Sequence, residues 1–301
     1  MRVGITGSSG FIGTALVNAL VERGDDVVRF VRPGAEVSTT TIRWDPSRGL
    51  VDEGDLERAG GFDAVVHLAG AGIADKRWTA SRKEEIGSSR ARSTSLLVNT
   101  LKASKSGTKI LVSGSAIGIY GDRGDEVLDE TSSPGAGFLA GVCQAWENEA
   151  SELADSGSTV ALLRTGIVMG TTGGALAKQL PLFRWGLGGR LSSGHQWISP
   201  ISLRDQIGAV LWIIDHDLSG PVNLVSPEPI TNRDFTRILA HQMRRPALAS
   251  VPAFALRLVL GAELVNEAVL ASLRVKPGVL TNTGYPFREP NFTAIARDLL
   301  S

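Results

Sequence analysis

The sequence predicts an α/β fold, a doubly wound parallel sheet followed by a smaller C-terminal region. Three observations carry that prediction. A short β-branched run ends in the glycine-punctuated turn GSSGFIG at residues 7–13 and opens straight into an apolar-striped stretch. Further β-branched runs alternate with stretches of helical period through the first half of the chain, the pattern of a parallel sheet buried under helices on both faces. After residue 169 the texture changes to the glycine-rich segments GTTGGAL and RWGLGGRLSSGHQW, which suit pocket-lining loops better than core.

Taken in order, buried strands are expected at Val3–Thr6, Val27–Val31, Ala64–Leu68, Ile110–Ser113 and Thr159–Leu163. Helices are expected between them at Phe11–Glu22, Ser81–Lys102 and Phe138–Ala154. In the last, Phe138, Val142, Ala145, Trp146, Glu149 and Leu153 recur at helical spacing. A helix over Asp205–Ile214 and a strand over Val222–Val225 return the chain to the sheet. The division this implies is one domain of residues 1–168 plus 204–226, and a smaller one of 169–203 plus 227–301.

Composition narrows the classes of function. Lysine plus arginine equals aspartate plus glutamate at 31 each, which removes the broad positive field that nucleic acids or acidic membranes require. The apolar runs are too short or too interrupted by charge to span a bilayer, and the N-terminus lacks the pattern of an export signal. The single cysteine, Cys143, forms no internal disulfide and favours a reducing, cytoplasmic setting. His67, His195, His216 and His241 are widely separated, so no metal is expected.

The opening turn has the features a pyrophosphate needs. Gly7 permits a tight turn, Gly10 lets backbone approach the phosphates and Gly13 lets helix pack on strand; a tight turn without a ligand is the bland alternative. Ser8, Phe11 and Ile12 sit where a helix N-terminus offers free N–H groups and partial positive charge. Leu68 and Ala69, at the end of the strand from Ala64, form the opposite lip. A Rossmann-like dinucleotide site follows. At the end of the second strand, where an acid would hold the ribose of NAD, the chain reads VVRFVRPG. Arg29 and Arg32 there both suit a 2′-phosphate; strand alternation turns one of them to the ribose, and Arg32, with Ser8 nearby, is the candidate. NADP(H) is therefore preferred over NAD(H); a solvated surface arginine is the alternative.

These residues, with HLAGAGIADKRW from His67, LVSGSAIGIYG from Leu111, RTGIVMG from Arg164 and HQWISPISLRD from His195, resemble the short-chain dehydrogenase/reductase superfamily. The likeness is to its extended, epimerase-like branch and, within that, to the group of SDR39U-type and YfcH-type proteins. It covers nearly the whole chain. It implies an NADP(H)-binding fold with a small C-terminal substrate domain, and a serine at Ser115 that hydrogen-bonds a substrate oxygen.

The superfamily's Tyr-x-x-x-Lys pair is missing. The two tyrosines, Tyr120 and Tyr285, are followed four residues later by Gly124 and Glu289. Anchored on Glu147, the resemblance puts Leu139 at the tyrosine position and Cys143 at the lysine position. Cys143 then reads as a small buried apolar residue or as a pocket thiol. Ser115 and His195 remain as catalytic candidates, His195 because its ordinary pKa is near neutrality. Arg77, Trp78, Tyr120, Gln196 and Trp197 are candidates for the substrate pocket. Each has a structural alternative: a solvated loop for Arg77, a packing anchor for Trp78, a strand-end turn for Tyr120. Asp205 reads more readily as a helix cap than as a catalyst.

The sequence supports an NADP(H)-dependent oxidoreductase or epimerase-like enzyme whose substrate is a small molecule, a carbonyl compound or a nucleotide sugar. A non-catalytic NADP(H)-binding sensor or scaffold is the alternative. By resemblance the long helix Ser81–Lys102 could pair two copies, yet it carries a face with Arg82, Lys83, Glu84, Arg90 and Arg92, leaving monomer and homodimer both open.

Overall fold

The computed structural model describes all residues except 36, 37, 105, 106, 248 and 301. Its centre is an 8-stranded sheet. Across the sheet the strands run Gly220–Leu224, Thr159–Thr165, Thr108–Ala116, Phe62–His67, Arg2–Thr6, Asp26–Val31, Thr41–Asp45 and Leu50–Val51. All are parallel to their neighbours except the last, which pairs antiparallel with Thr41–Asp45. From Arg2–Thr6 the chain first builds outward through Asp26–Val31, then returns to the other side at Phe62–His67. The strand order therefore reverses between Arg2–Thr6 and Phe62–His67. In an open α/β sheet such a switch point leaves a crevice outside the strands' carboxyl ends.

The expected strands and helices form, with boundaries shifted by a few residues. The strand expected to reach Leu68 ends at His67, and the helix from Phe138 ends at Ser151, where it tightens into a short 3₁₀ turn. The strands Thr41–Asp45 and Leu50–Val51 and the helix Glu53–Ala59 add to the expected set. Their buried residues, Ile42 and Trp44, pack with Phe30 and Phe62 on one face of the sheet. On the other face Leu16 and Leu20 of the helix Phe11–Glu22 join Val210, Ile213 and Ile214 of the helix Leu203–Asp215.

A separate core joins the helices Gly174–Arg184, Asn232–Gln242 and Phe292–Leu300 through Leu176, Leu180, Phe183, Phe235, Leu239, Phe292 and Ile295. The rings of Phe235 and Phe292 are 4.3 Å apart.

Asp205 clamps the C-terminal segment to the sheet, and its role differs from the cap expected of it. Ser202 caps the helix Leu203–Asp215 by accepting from the N–H of Asp205. The Asp205 carboxylate, fully buried, accepts from the N–H groups of Arg288 (3.0 Å) and Glu289 (2.9 Å) and from the Tyr285 hydroxyl (3.1 Å). A buried carboxylate is stable only when its lone pairs are matched in this way. Replacing it by alanine leaves the N–H groups of Arg288 and Glu289 unmatched, the second of them buried. We expect Asp205→Ala to lower the unfolding free energy by about 3 kcal/mol, measured by urea titration.

Candidate functional site

The crevice is fixed by a hydrogen bond across the switch point. Thr6 and His67 face each other in register at the ends of adjacent strands, both fully buried. The Thr6 hydroxyl oxygen accepts from the N–H groups of Leu68 (3.1 Å) and Ala69 (3.3 Å), so its proton donates to His67 Nδ1 at 2.7 Å. The other ring nitrogen is then the protonated one. It donates to Thr94 Oγ1 at 3.0 Å, with Ser93 Oγ at 3.3 Å, and both hydroxyls donate onward to the carbonyl of Arg90. Complete burial and the nearby Arg90 push the His67 pKa down to about 3, so the imidazole stays neutral and structural.

Above Thr6 the glycine turn is shaped by close approach. Gly7 has φ +67, and a Cβ there would lie 2.8 Å from the carbonyl carbon of Leu68. A Cβ on Gly13 would overlap the carbonyl oxygen of Gly7. The N–H of Gly10 bonds to Gly7 O at 3.0 Å. Among the described residues, the N–H groups of Phe11, Ile12 and Gly13 meet no acceptor, and Gly10 caps the helix without a side-chain bond. Free first-turn donors at a helix N-terminus form an anion cradle. Ser8 lies half-buried in the same turn. Phe11 turns its ring away, into the glycine-rich segment after residue 169, where a Cβ on Gly170 or Gly173 would lie 2.5 Å from it. Arg32 is exposed just beyond the strand Asp26–Val31; among the described residues its side chain makes no ion pair or hydrogen bond.

On the other side of the crevice, the end of Thr108–Ala116 leads into a buried polar cluster. Ser115 donates to Glu147 Oε1 at 2.7 Å, and Arg164 grips both oxygens of Glu147 at 2.9 Å. Arg164 also donates to the Tyr120 hydroxyl at 3.0 Å, which donates to Asn223 Oδ1 at 2.8 Å. Tyr120 has no exposed surface; it belongs to the core, and burial raises its pKa. Cys143 is buried beside Ser115, and burial pushes its thiol up to about 11. At neutral pH it is a thiol, not a nucleophile.

The remaining candidates fall in two further places. Trp78 donates its indole N–H to Ile73 O at 2.8 Å and meets the Phe138 ring edge-on at 5.0 Å. It borders a surface cleft of about 470 Å³ lined also by Thr79, Lys83, Phe138 and Glu263. Arg77 is exposed and lies against Gly261. His195 is exposed; its Nε2 accepts from Arg233 at 2.7 Å. Gln196 is buried and donates to Leu191 O, while Trp197 donates to Asp125 Oδ1 at 2.7 Å and lies under Arg274. Thus Ser115 and His195 belong to separate hydrogen-bond sets. Among the described residues no three His, Cys, Asp or Glu side chains form a metal set, and no helix is long and apolar enough to cross a membrane.

Two features lay outside the reach of the sequence pattern. Glu267, from the C-terminal segment, accepts from the N–H groups of Phe138 (3.0 Å) and Leu139 (2.8 Å) and so occupies the N-terminus of the helix carrying Cys143. The long helix Ala80–Ala103 does not present Arg82 and Arg90 on a solvated face as its charge pattern suggested. Arg82 is buried and holds Gly72 O, and Arg90 is half-buried and holds Ala71 O at 2.9 Å. Three-residue spacing to Glu85 and Ser93 resembles an exposed charged stripe, and only the strand-end loop shows which way these side chains turn.

Comparison with known proteins agrees with this fold. The model of the NAD dependent epimerase/dehydratase family matches residues 3–224, and that of a domain of unknown function, DUF1731, matches 251–299. An epimerase family protein of Mycobacterium tuberculosis is 40% identical over 286 residues, 95% of this chain and 93% of its own. The chloroplastic SDR39U1 homolog of Arabidopsis thaliana is 34% identical over 293 residues, 96% of this chain and 83% of its own. Human epimerase family protein SDR39U1, solved with NADPH, superposes with a TM-score of 0.89 at 28% identity, covering 100% of this chain and 99% of that one. A UDP-glucose 4-epimerase from Thermus thermophilus shares the fold, with a TM-score of 0.75 at 21% identity over 100% of this chain and 97% of its own.

The neutral His67 makes stability depend on pH. Unfolded, the ring titrates near its ordinary 6.5; folded, near about 3. The folded pKa is depressed, so stability is fully present above 6.5 and is lost as pH falls toward 3. From pH 6.5 to about 4.5 we expect a loss approaching 1.4 kcal/mol per pH unit from this group. In His67→Gln that slope should flatten, as read by denaturant midpoints across the same range.

Proposed function

The chain belongs to the NAD dependent epimerase/dehydratase family, and from that premise we propose that it is an NADP(H)-dependent oxidoreductase or epimerase-like enzyme. Its substrate on this reading is a small carbonyl compound or a nucleotide sugar. The observation that carries the reading is the set of free N–H groups of Phe11, Ile12 and Gly13 at the switch point, beside a turn that tolerates no Cβ at Gly7 or Gly13. Gly7, Ser8, Gly10, Phe11, Ile12 and Gly13 would hold the pyrophosphate, with Leu68 and Ala69 as the opposite lip. Arg32 would take the 2′-phosphate. NADPH in human SDR39U1 supports the nucleotide choice.

When bound, the nicotinamide would supply or accept a hydride. The chain's own side chains do the positioning. Ser115 keeps its proton on Glu147, so its oxygen accepts a hydrogen bond from a substrate hydroxyl rather than donating one. With no Tyr-x-x-x-Lys pair, the proton comes from water, from the substrate or from His195. Residues 169–203 with 227–301 form the substrate-binding part, Gln196 and Trp197 among them, and Arg77 and Trp78 of the dinucleotide-binding part line the pocket from the other side. Positioning alone is a substantial source of rate.

A second reading, a non-catalytic NADP(H) sensor or scaffold, is favoured by one observation. The Cys143 thiol and Tyr120 near Ser115 are pushed upward by burial, and His67 downward. Single-turnover oxidation of bound NADPH by a panel of carbonyl substrates separates the two, since a sensor gives none.

The cofactor assignment is tested by titrating cofactor-free protein with NADPH and NADH. We expect NADPH to bind about 10- to 100-fold tighter, the worth of one charge-assisted phosphate contact. Arg32→Glu should abolish or reverse that preference. Binding of neither nucleotide removes both readings.

A further inference from the structure

The helix Ala253–Leu260 reads AFALRLVL, apolar on every side except at Arg257, and none of its residues is buried. An apolar helix ordinarily sits inside a fold. Here Phe254, Leu258 and Val259 are 71%, 75% and 74% exposed. The turn that follows the helix Gly174–Arg184 has the same character: Leu182 and Leu187 are exposed, and Trp185 is 82% exposed. Single apolar residues at a surface need no explanation, whereas a group of large ones marks a contact.

The two segments are neighbours at both ends. Leu187 donates its N–H to Leu182 O at 2.8 Å, and the turn so formed puts a Cβ on Gly186 at 3.5 Å from Pro246. The strand Gly189–Leu191 then pairs with Ala249–Val251, and the N–H of Ser192 reaches Val251 O at 2.8 Å, just before the apolar helix starts. At their far ends both helices meet the loop 75–77. Lys178 lies 3.6 Å from Asp75, and a Cβ on Gly261 would lie 3.1 Å from Arg77 Nε.

Charge on these segments has one sign. Residues 171–204 and 235–262 contain no aspartate or glutamate. Their Lys178, Arg204 and Arg237 pair with Asp75, Glu289 and Asp234, and Glu263, just past the apolar helix, is taken by Lys83 at 2.6 Å. Arg184, Arg190, Arg244, Arg245 and Arg257 are exposed and make no ion pair among the described residues. The balanced total charge of the chain excludes a broad positive field but leaves this local one. A second copy packed on the same face would set these arginines against their own counterparts, with no acid between them. An anionic bilayer completes both halves of the pattern: its phosphates meet the cations, and the layer beneath takes the apolar side chains.

We infer that the helix Ala253–Leu260 and the turn Leu182–Leu187 dock on an anionic lipid bilayer. Phe254, Leu258, Val259 and Trp185 enter the boundary between headgroups and acyl chains, and the arginines lie along the phosphates. The protein lies on the membrane and does not cross it, in keeping with the lack of a long apolar helix among the described residues. The inference stands apart from the cofactor reading.

Flotation of the whole protein with lipid vesicles tests it. Vesicles of phosphatidylcholine alone are compared with vesicles in which part of that lipid is replaced by phosphatidylglycerol, at low and at raised salt. The protein should bind the anionic vesicles about 10-fold more tightly or better, and raised salt should weaken that binding. Leu258→Glu, at an exposed position, should reduce it by about 10-fold or more; Phe254→Ser with Val259→Ser takes its place if that variant fails to fold. Arg244→Gln with Arg245→Gln should weaken binding to the anionic vesicles several-fold and leave binding to the neutral ones unchanged. No vesicle binding, equal binding to both compositions, or unchanged binding in Leu258→Glu overturns the inference. Sedimentation velocity without vesicles covers the remaining occupant: a dimer that Leu258→Glu dissolves assigns the face to a second copy and overturns it as well.

Discussion

The hydrogen bond from Thr6 to His67 is the constraint on which the rest of the site depends. It joins the two strands between which the strand order reverses, and the same threonine oxygen collects the first two N–H groups of the loop that forms the crevice's far lip. His67 passes the connection to Thr94 and Ser93, and so to the helix that carries Arg90. One neutral side chain thus sets the spacing of glycine turn, lip and helix. A charged imidazole there would face full desolvation and the field of Arg90, which is why the ring remains neutral far below its ordinary range.

Charge is distributed unevenly around that frame. Glu147 and Arg164 satisfy each other through two parallel hydrogen bonds, and Ser115 adds a third. A buried pair so completely matched contributes definition more than net stability. It also fixes the Ser115 proton. Leu139 and Cys143 lie on the facing helix, whose N-terminus is closed by Glu267. Positive charge enters from the opposite helix on Arg90, which makes no ion pair among the described residues.

Much of the fold was legible because it is written in short-range patterns. The β-branched runs and the Gly7, Gly10 and Gly13 spacing specify strand, turn and helix locally, and parallel strands buried on both faces leave an apolar signature. The strand Thr41–Asp45 was less visible, since its alternation of Thr41, Ile42, Arg43 and Trp44 sits in a polar, turn-rich neighbourhood. The polar cluster was legible only in fragments. Ser115, Glu147, Arg164, Tyr120 and Asn223 are brought together by strand register and helix packing, and no sequence spacing encodes that they meet. Arg90 read as a surface charge because helical period cannot distinguish a solvated arginine from one turned under a loop 19 residues away. Asp205 read as a cap for the same reason; its partners lie more than 80 residues further along the chain.

The central claim is that the free N–H groups of the first helix turn, held opposite the Leu68–Ala69 lip by Thr6 and His67, form a dinucleotide cradle. A crystal structure of the protein grown with NADPH tests it most directly. The account predicts the pyrophosphate on the N–H groups of Phe11, Ile12 and Gly13, with the 2′-phosphate within reach of Arg32 and the Thr6–His67 bond intact. Nucleotide bound elsewhere, or a glycine turn empty at saturating NADPH, would contradict it.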